Sequence, residues 1–404
     1  MELYNTLTET IEPLTTDDGT FRMYVCGVTP YDTTHLGHAF TYVCFDVLER
    51  YLEYLGHQTI TVQNVTDIDD DIIRKSKEVG LPWDELGKRE TEKYLRDMDA
   101  LNVRRPDYFP AATEEIGKII EMVKVLLEKE LAYEVNGSVY YATRKDQDFG
   151  HHLVDMDYDT LLKIANERGN FPNDPNKRDP LDFVLWQAAQ PGEPTWKSPW
   201  GPGRPGWHIE CSAMSMKYLG SQIDIHCGGA DLIFPHHSCE IVQSEGVTGV
   251  TPFVRYWFHI AMVEMNGAKM SKSLGNMIFV RDLLRKYPPD AIRLYLLSHH
   301  YRQEWSVDNI QTDLARVTAM LGRWRTALSA KVDSTTSLDA TSYREKFDAA
   351  MNNDLNTPEA INAIDALSQA VLDAGEDGRT VGDGLRVLRD LTGVLGLMLP
   401  IEHR

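Results

Sequence analysis

Two regimes of hydrophobic patterning divide this chain. Short apolar runs punctuated by glycine and proline occupy residues 20–65, and helical spacing dominates from Pro289 onward. Met23, Tyr24, Val25 and Cys26 are apolar in a row, stopped by Gly27 and Pro30, and predict a buried strand. The chain then turns through residues 29–34 into a helix beginning near His35, Leu36, Gly37 and His38, with apolar positions at helical spacing until Gly56. Residues 57–65 are rich in β-branched side chains and predict the next parallel strand. Strand, helix, strand implies a right-handed crossover in a doubly wound α/β sheet. Such sheets bind ligands at the C-terminal edges of their strands, which is where Asn64, Val65 and Thr66 fall.

Further on, residues 86–101 and 112–131 predict amphipathic helices, and 132–143 a hairpin. Residues 146–176 are polar and read as loop-rich, and 191–205 as a rigid, structureless connector. Helix starts at 206–219 and 235–243 alternate with strands at 223–226 and 253–263. A loop at 266–276 precedes helices at 291–299, 310–328, 343–352, 358–374 and 381–397, with a polar break at 334–337. The expected division is 1–110 and 206–265 as two halves of a nucleotide-binding domain, 111–205 as an insertion, 266–330 as a loop with its following helices, and 331–404 as a helical bundle. Residues 67–71 hold four aspartates (Asp67, Asp69, Asp70, Asp71), read as a capped helix N-terminus rather than a metal site.

The totals refine this picture. The 404 residues suffice for two or three domains, and 42% hydrophobic with 25% charged residues is ordinary for a globular enzyme. No apolar run approaches a membrane span and the N-terminus lacks a signal-peptide pattern, so a cytoplasmic protein, acting as a monomer and away from membranes, is expected. A net charge of −20 opposes non-specific binding to nucleic acid. Five cysteines in a reducing compartment give no disulfide framework, and Cys44 is placed on the buried face of the first helix.

A strand that delivers a helix N-terminus makes an anion site, because free backbone N–H groups point out of the first turn. Gly37 keeps that turn bare, and His35 and His38, three apart, can both reach a phosphate ester. His35-Leu36-Gly37-His38 resembles the HIGH signature of class I aminoacyl-tRNA synthetases. Lys269-Met270-Ser271-Lys272-Ser273 is their KMSKS signature without a mismatch. Between them, Cys26, the stretch 206–214 (GWHIECSAM) and the stretch 228–237 (GGADLIFPHH) resemble the cysteine-specific members. The resemblance runs from about residue 20 to the C-terminus. It implies a class I synthetase-type, Rossmann-like parallel sheet with an insertion domain and a C-terminal helical bundle, and activation of cysteine by ATP with Mg2+ as cysteinyl adenylate.

It also implies roles. His35, His38, Lys269 and Lys272 would stabilise charge at the phosphates. Cys26, Gly27, Val28, Thr29, Gly37, Thr41, Asn64, Val65, Thr66, Gly229, Ala230, Val263 and Lys272 would line the adenylate crevice. Trp207 would wall the amino-acid pocket, and Asp231 would pair with the substrate ammonium. One Zn2+ per chain would be held by Cys26, Cys211, His236 and Glu240, the last two one helical turn apart.

The acceptor is where two relatives diverge. Residues 27–38 (GVTPYDTTHLGH) and 300–303 (HYRQ) resemble the cysteine ligase of mycothiol synthesis, which joins cysteine to the amine of glucosaminyl-inositol. The chain also ends soon after the bundle, which suggests no full anticodon-binding domain. Glu240, residues 206–214 and residues 270–276 (MSKSLGN) take the form seen in cysteinyl-tRNA synthetase, and the ligase's ERGGDP segment is half matched at 167–172 (ERGNFP). The expectation is a small amino-sugar acceptor, with Trp305 or residues 301–303 beside its pocket, and tRNA as the alternative.

Overall fold

The computed structural model describes residues 1–31, 34–270, 275, 277–330, 338–377 and 379–399, apart from the Lys269 side chain. Lys272 and the expected break at 334–337 lie outside the described residues.

Strand β1 (Thr20–Val28), helix α1 (Leu36–Tyr54) and strand β2 (Gln58–Val65) form the predicted opening unit. Alternate and contiguous apolar residues fill β1 because both faces of a parallel sheet are covered. Cys44 is buried on α1 as expected. The aspartate run that follows is a cap. Asp69 Oδ1 accepts the Ile72 N–H at 2.7 Å at the start of α2 (Asp70–Val79), and Gly80, at φ 69°, ends it.

The chain between β2 and the next central strand builds a separate antiparallel sheet. Its strands Ala132–Val135, Ser138–Tyr141, Phe183–Ala188 and Gly203–Pro205 lie in that order. The predicted hairpin is its first pair. Two readings are corrected here. The polar stretch at 146–176 contains helix α3 (Tyr158–Glu167), which buries only Leu161 and Ala165 and so shows little apolar pattern. The supposed structureless connector ends in the strand Gly203–Pro205, paired to Phe183–Ala188, a partnership its own residues do not announce.

Helix α4 (Trp207–Leu219) returns the chain to the central sheet, followed by β3 (Ile223–Gly229), α5 (Ser238–Thr248) and β4 (Val254–Ile260). The sheet order is β4-β3-β1-β2, all parallel. Between Val25↔Gln63 and Val28↔Val65, three steps of β1 oppose two of β2, so a bulge sits at Cys26 and Gly27. The first residues form a hairpin of Glu2–Asn5 with Thr10–Pro13.

From Pro289 the chain is helical, as α6 (Pro289–Leu297), α7 (Ile310–Leu328), α8 (Thr341–Asn352), α9 (Thr357–Glu376) and α10 (Gly382–Val394). One continuous core joins β1 and α1 to these helices, through residues such as Tyr51, Phe347, Leu367 and Leu391. Among the described residues no helix is long and apolar enough to cross a membrane.

Candidate active site and metal centre

The carboxyl ends of β1, β2, β3 and β4 open on one cavity of about 730 Å3. The bulge in β1 frees Cys26 from the pleat alternation, and its Sγ lies 3.4 Å from His237 Nε2 and 3.7 Å from Glu240 Oε1. Gly27 is required by close approach, since a Cβ there would fall 1.5 Å from the Asn64 carbonyl oxygen. The Gly27 N–H donates to Asn64 Oδ1 at 2.7 Å, Tyr24 Oη donates to the same oxygen at 2.9 Å, and Asn64 Nδ2 donates to Thr66 Oγ1 at 3.2 Å. The adenylate crevice predicted at Gly27, Val28, Thr29, Asn64 and Thr66 is therefore a hydrogen-bonded edge facing the cavity. Val65 is buried within β2 and is not part of the lining.

His35 is the N-cap of α1. Its Nδ1 accepts the His38 N–H at 3.3 Å, and the two imidazoles stack with centroids 3.7 Å apart. Part of the His35 capacity thus goes to starting the helix. Both rings, with Gly37 and Thr41, line the cavity. Met270 of the second signature lies beside the first. Val263–Met265 and Ala268–Lys269 form a hairpin, and Met270 follows it into the cavity wall with Val263. Residues 278–280 return to α1, where the Leu36 N–H donates to the Ile278 oxygen at 2.9 Å and the Val280 N–H to the Thr34 oxygen at 3.1 Å. Met270 and residues 278–280 thus both lie close to the His35–His38 turn.

The four predicted metal ligands converge. One atom from each of Cys26, Cys211, His236 and Glu240 lies within 4.8 Å of the others, and all four residues are buried. His236 Nε2 is 3.1 Å from Glu240 Oε1, while His236 Nδ1 is 2.8 Å from His208 Nδ1. Trp207 stacks on the His236 ring with centroids 4.2 Å apart. Burial lowers the His236 pKa well below the usual range and keeps the imidazole neutral, the form that ligates. Burial, then Cys211 and Glu240, push the Cys26 thiol up. Two sulfurs, an imidazole and a carboxylate this close in a dry pocket suit a divalent cation, whose charge reverses that shift.

Sequence reasoning missed the histidines behind this set. His226 Nε2 holds Glu240 Oε2 at 3.0 Å, and His237 Nδ1 meets His259 Nε2 at 2.7 Å, which in turn meets Thr6 Oγ1 at 2.8 Å. A second overlapping quartet, Cys26, His226, His237 and Glu240, is equally close. The signal was a histidine in the buried stretch of each of two strands, His226 and His259.

Gly229 and Asp231 line the cavity; Ala230 follows β3 in the same short turn but is not part of the lining. Arg168, at the end of α3, donates to the backbone oxygens of Asp231 and Phe234 and so braces this segment from the antiparallel sheet side. The expected acceptor wall at Tyr301–Trp305 is corrected. Tyr301 donates to Asp354, and Trp305 packs against His299, Phe40 and Tyr295, so both are core residues away from the cavity.

Residues 12–319 match the family of class I (C) tRNA synthetase catalytic domains, and residues 346–399 match the DALR domain. A cysteine–tRNA ligase of Dehalococcoides mccartyi is 44% identical over the whole of this chain and 87% of its own length. One from Thermococcus onnurineus is 47% identical over 92% of this chain and 80% of its own. In fold, the chain superposes on Mycobacterium tuberculosis methionyl-tRNA synthetase in complex with methionyl-adenylate with a TM-score of 0.63 at 16% identity, over 93% of this chain and 88% of that one. This chain is an ATP-dependent, aminoacyl-adenylate-forming ligase and belongs to the cysteine–tRNA ligase family.

Proposed function

We propose that the protein activates cysteine as cysteinyl adenylate, releasing pyrophosphate, and transfers it to the end of a cysteine-accepting tRNA. The observation that supports this reading is that His35, Gly37, His38 and Met270 line one cavity together with Cys26, Cys211 and His236, which cluster with Glu240. The cysteine–tRNA ligases that match nearly the whole chain, and the DALR match at its C-terminal end, support tRNA as acceptor.

In this reading the cysteine carboxylate attacks the α-phosphate of Mg2+-bound ATP. His35 and His38 donate to the phosphates, and Lys269 and Lys272 neutralise the leaving pyrophosphate as their loop closes. Gly27–Thr29, Gly37, Thr41, Asn64, Thr66, Gly229 and Val263, which line the cavity, orient the adenylate. Asp231 holds the substrate ammonium and Trp207 closes the side-chain pocket. Zinc held by Cys26, Cys211, His236 and Glu240 would supply a soft site that takes a thiolate in preference to a hydroxyl. Shape alone separates cysteine from serine poorly. The five cysteines are all free and buried, which fits work in the reducing cytoplasm, and we read the enzyme as a monomer.

A second reading keeps the same activation but uses the amine of glucosaminyl-inositol, as in mycothiol synthesis. The form of residues 27–38 and 300–303 favours it. One experiment separates the two. Purified enzyme is loaded with ATP and cysteine, and transfer to cysteine tRNA is compared with transfer to glucosaminyl-inositol. Cysteinylation of tRNA with no sugar product is expected; sugar product without charged tRNA overturns the tRNA reading.

A further inference from the structure

The cavity has a second wall that adenylate formation does not use. It is the turn after α3, residues 168–177, from which Arg168, Gly169, Asn170, Phe171, Asp174 and Lys177 line the cavity. This turn is held rigidly. Asn170 N–H donates to the Ala165 oxygen at 3.0 Å, and Asn170 Nδ2 donates to Asn166 Oδ1 at 2.8 Å and to the Pro180 oxygen at 3.0 Å. Lys177 Nζ donates to Asn170 Oδ1. Arg168 fixes the turn to the backbone of Asp231 and Phe234, so its position relative to the amino-acid pocket is set.

On this braced turn Phe171 is 68% exposed, and its ring lines the cavity. Folding gains nothing from leaving a large aromatic in water on a segment whose polar groups are otherwise satisfied. Lys177, on the same wall, is held by Asn170 with Asp174, Asp179 and Asp182 nearby, and makes no ion pair within 4 Å among the described residues. An exposed aromatic face is what receives an unstacked base, and a lysine beside it can meet the phosphate. The half-matched segment 167–172 keeps Glu167, Arg168 and Gly169, the last at φ 90°, and departs at Asn170 and Phe171, the residues that tie and furnish the wall.

We infer that Phe171, with Lys177 beside it, forms the acceptor subsite, where the ring stacks on an unpaired base at the end of the tRNA while the ribose hydroxyl attacks the adenylate carbonyl. The new ester bond forms as the acyl–phosphate bond breaks, AMP leaves with the electron pair, and the hydroxyl proton passes to the departing phosphate. This inference rests on the tRNA reading above.

The test is single-turnover transfer from preformed, enzyme-bound cysteinyl adenylate to a cysteine tRNA transcript, titrated in tRNA. Phe171→Ala is expected to raise the half-saturating tRNA concentration about tenfold, and Phe171→Trp to stay within about twofold of the wild type, since stacking on an aromatic tolerates the change of ring. Equal titrations for wild type and Phe171→Ala overturn the subsite, as does Phe171→Trp behaving like Phe171→Ala. A wild-type enzyme that holds the adenylate but charges no tRNA overturns the tRNA reading instead, before any variant is compared.

Discussion

Asp46 and Arg293 pair with neither side chain more than 1% exposed, and this contact ties the helix that opens the site to the helical bundle. Arg293 Nε also donates to the Leu395 oxygen at 2.6 Å and Nη1 to the Leu101 oxygen at 2.9 Å. Asp46 further accepts from Arg50 Nε and the Arg104 N–H, each at 2.8 Å. Burial alone would raise the Asp46 pKa, but Arg293 and Arg50 outweigh it and hold the carboxyl low. Asp46→Asn leaves the guanidinium buried without its counter-charge and is expected to cost about 3–5 kcal/mol, read by thermal unfolding. Replacing both residues by apolar ones of similar size should cost clearly less. Because the folded pKa of Asp46 is depressed, its contribution is full above the unfolded value and is lost as pH falls through the lower folded one.

Glu49, one turn along α1, behaves oppositely. Burial first, then the Asp46 charge, push its pKa up to about 7. A raised pKa means that the folded state holds the proton more tightly. The associated stability is therefore complete below the unfolded value near 4.5 and is lost as pH rises through about 7. Glu49→Gln should raise stability at pH 8 by about 2 kcal/mol and hardly change it at pH 4. Melting temperatures across that range check the sign; a Gln variant that is less stable at pH 8 than the wild type contradicts it.

His208 Nδ1 meets His236 Nδ1 and so fixes the His236 ring, leaving Nε2 toward Glu240. Partners of this kind typically tune metal affinity by about 10–100-fold. His208→Ala is expected to lower zinc affinity within that range, measured by competition with a chromophoric chelator. Cys211→Ser should lose both the metal and the preference for cysteine over serine in ATP–pyrophosphate exchange. Retention of both in Cys211→Ser would remove the cluster from the mechanism.

Lys272→Ala is expected to slow adenylate formation on the order of a hundredfold with little change in cysteine affinity, because its charge meets the pyrophosphate mainly in the transition state. Pre-steady-state pyrophosphate release against equilibrium cysteine binding separates the two effects. An affinity loss with an unchanged rate would assign Lys272 to substrate binding.

The parts of the fold written locally could be read directly. β1 carries a contiguous apolar run, α1 apolar positions at helical spacing and β2 a β-branched stretch, and His236 and Glu240 share a helical turn. What escaped was set by partners far along the chain. Gly203–Pro205 becomes a strand only because Phe183–Ala188 offers its edge. The second wall of the cavity depends on Arg168 reaching two carbonyls more than sixty residues away. His226 and His259 looked like ordinary strand positions, because a buried polar side chain declares itself only through the groups it meets. Trp305 misled for the converse reason, since an aromatic beside polar residues looks like a pocket wall until its stacking partners are seen.

The strand order β4-β3-β1-β2 bears on how this protein is made. A ribosome delivers β1 and β2 first, and they can pair as soon as α1 has crossed between them. The other edge of β1 must wait until the entire antiparallel sheet and α4 have emerged, because its neighbour is β3. During that interval a nascent chain carries an unpaired strand edge of nine mostly buried residues, together with Cys26 and none of its three companions. Slow, non-local closure of this kind exposes an intermediate to aggregation. Expression at low temperature or with chaperones abundant should therefore improve soluble yield more than any change to the finished surface.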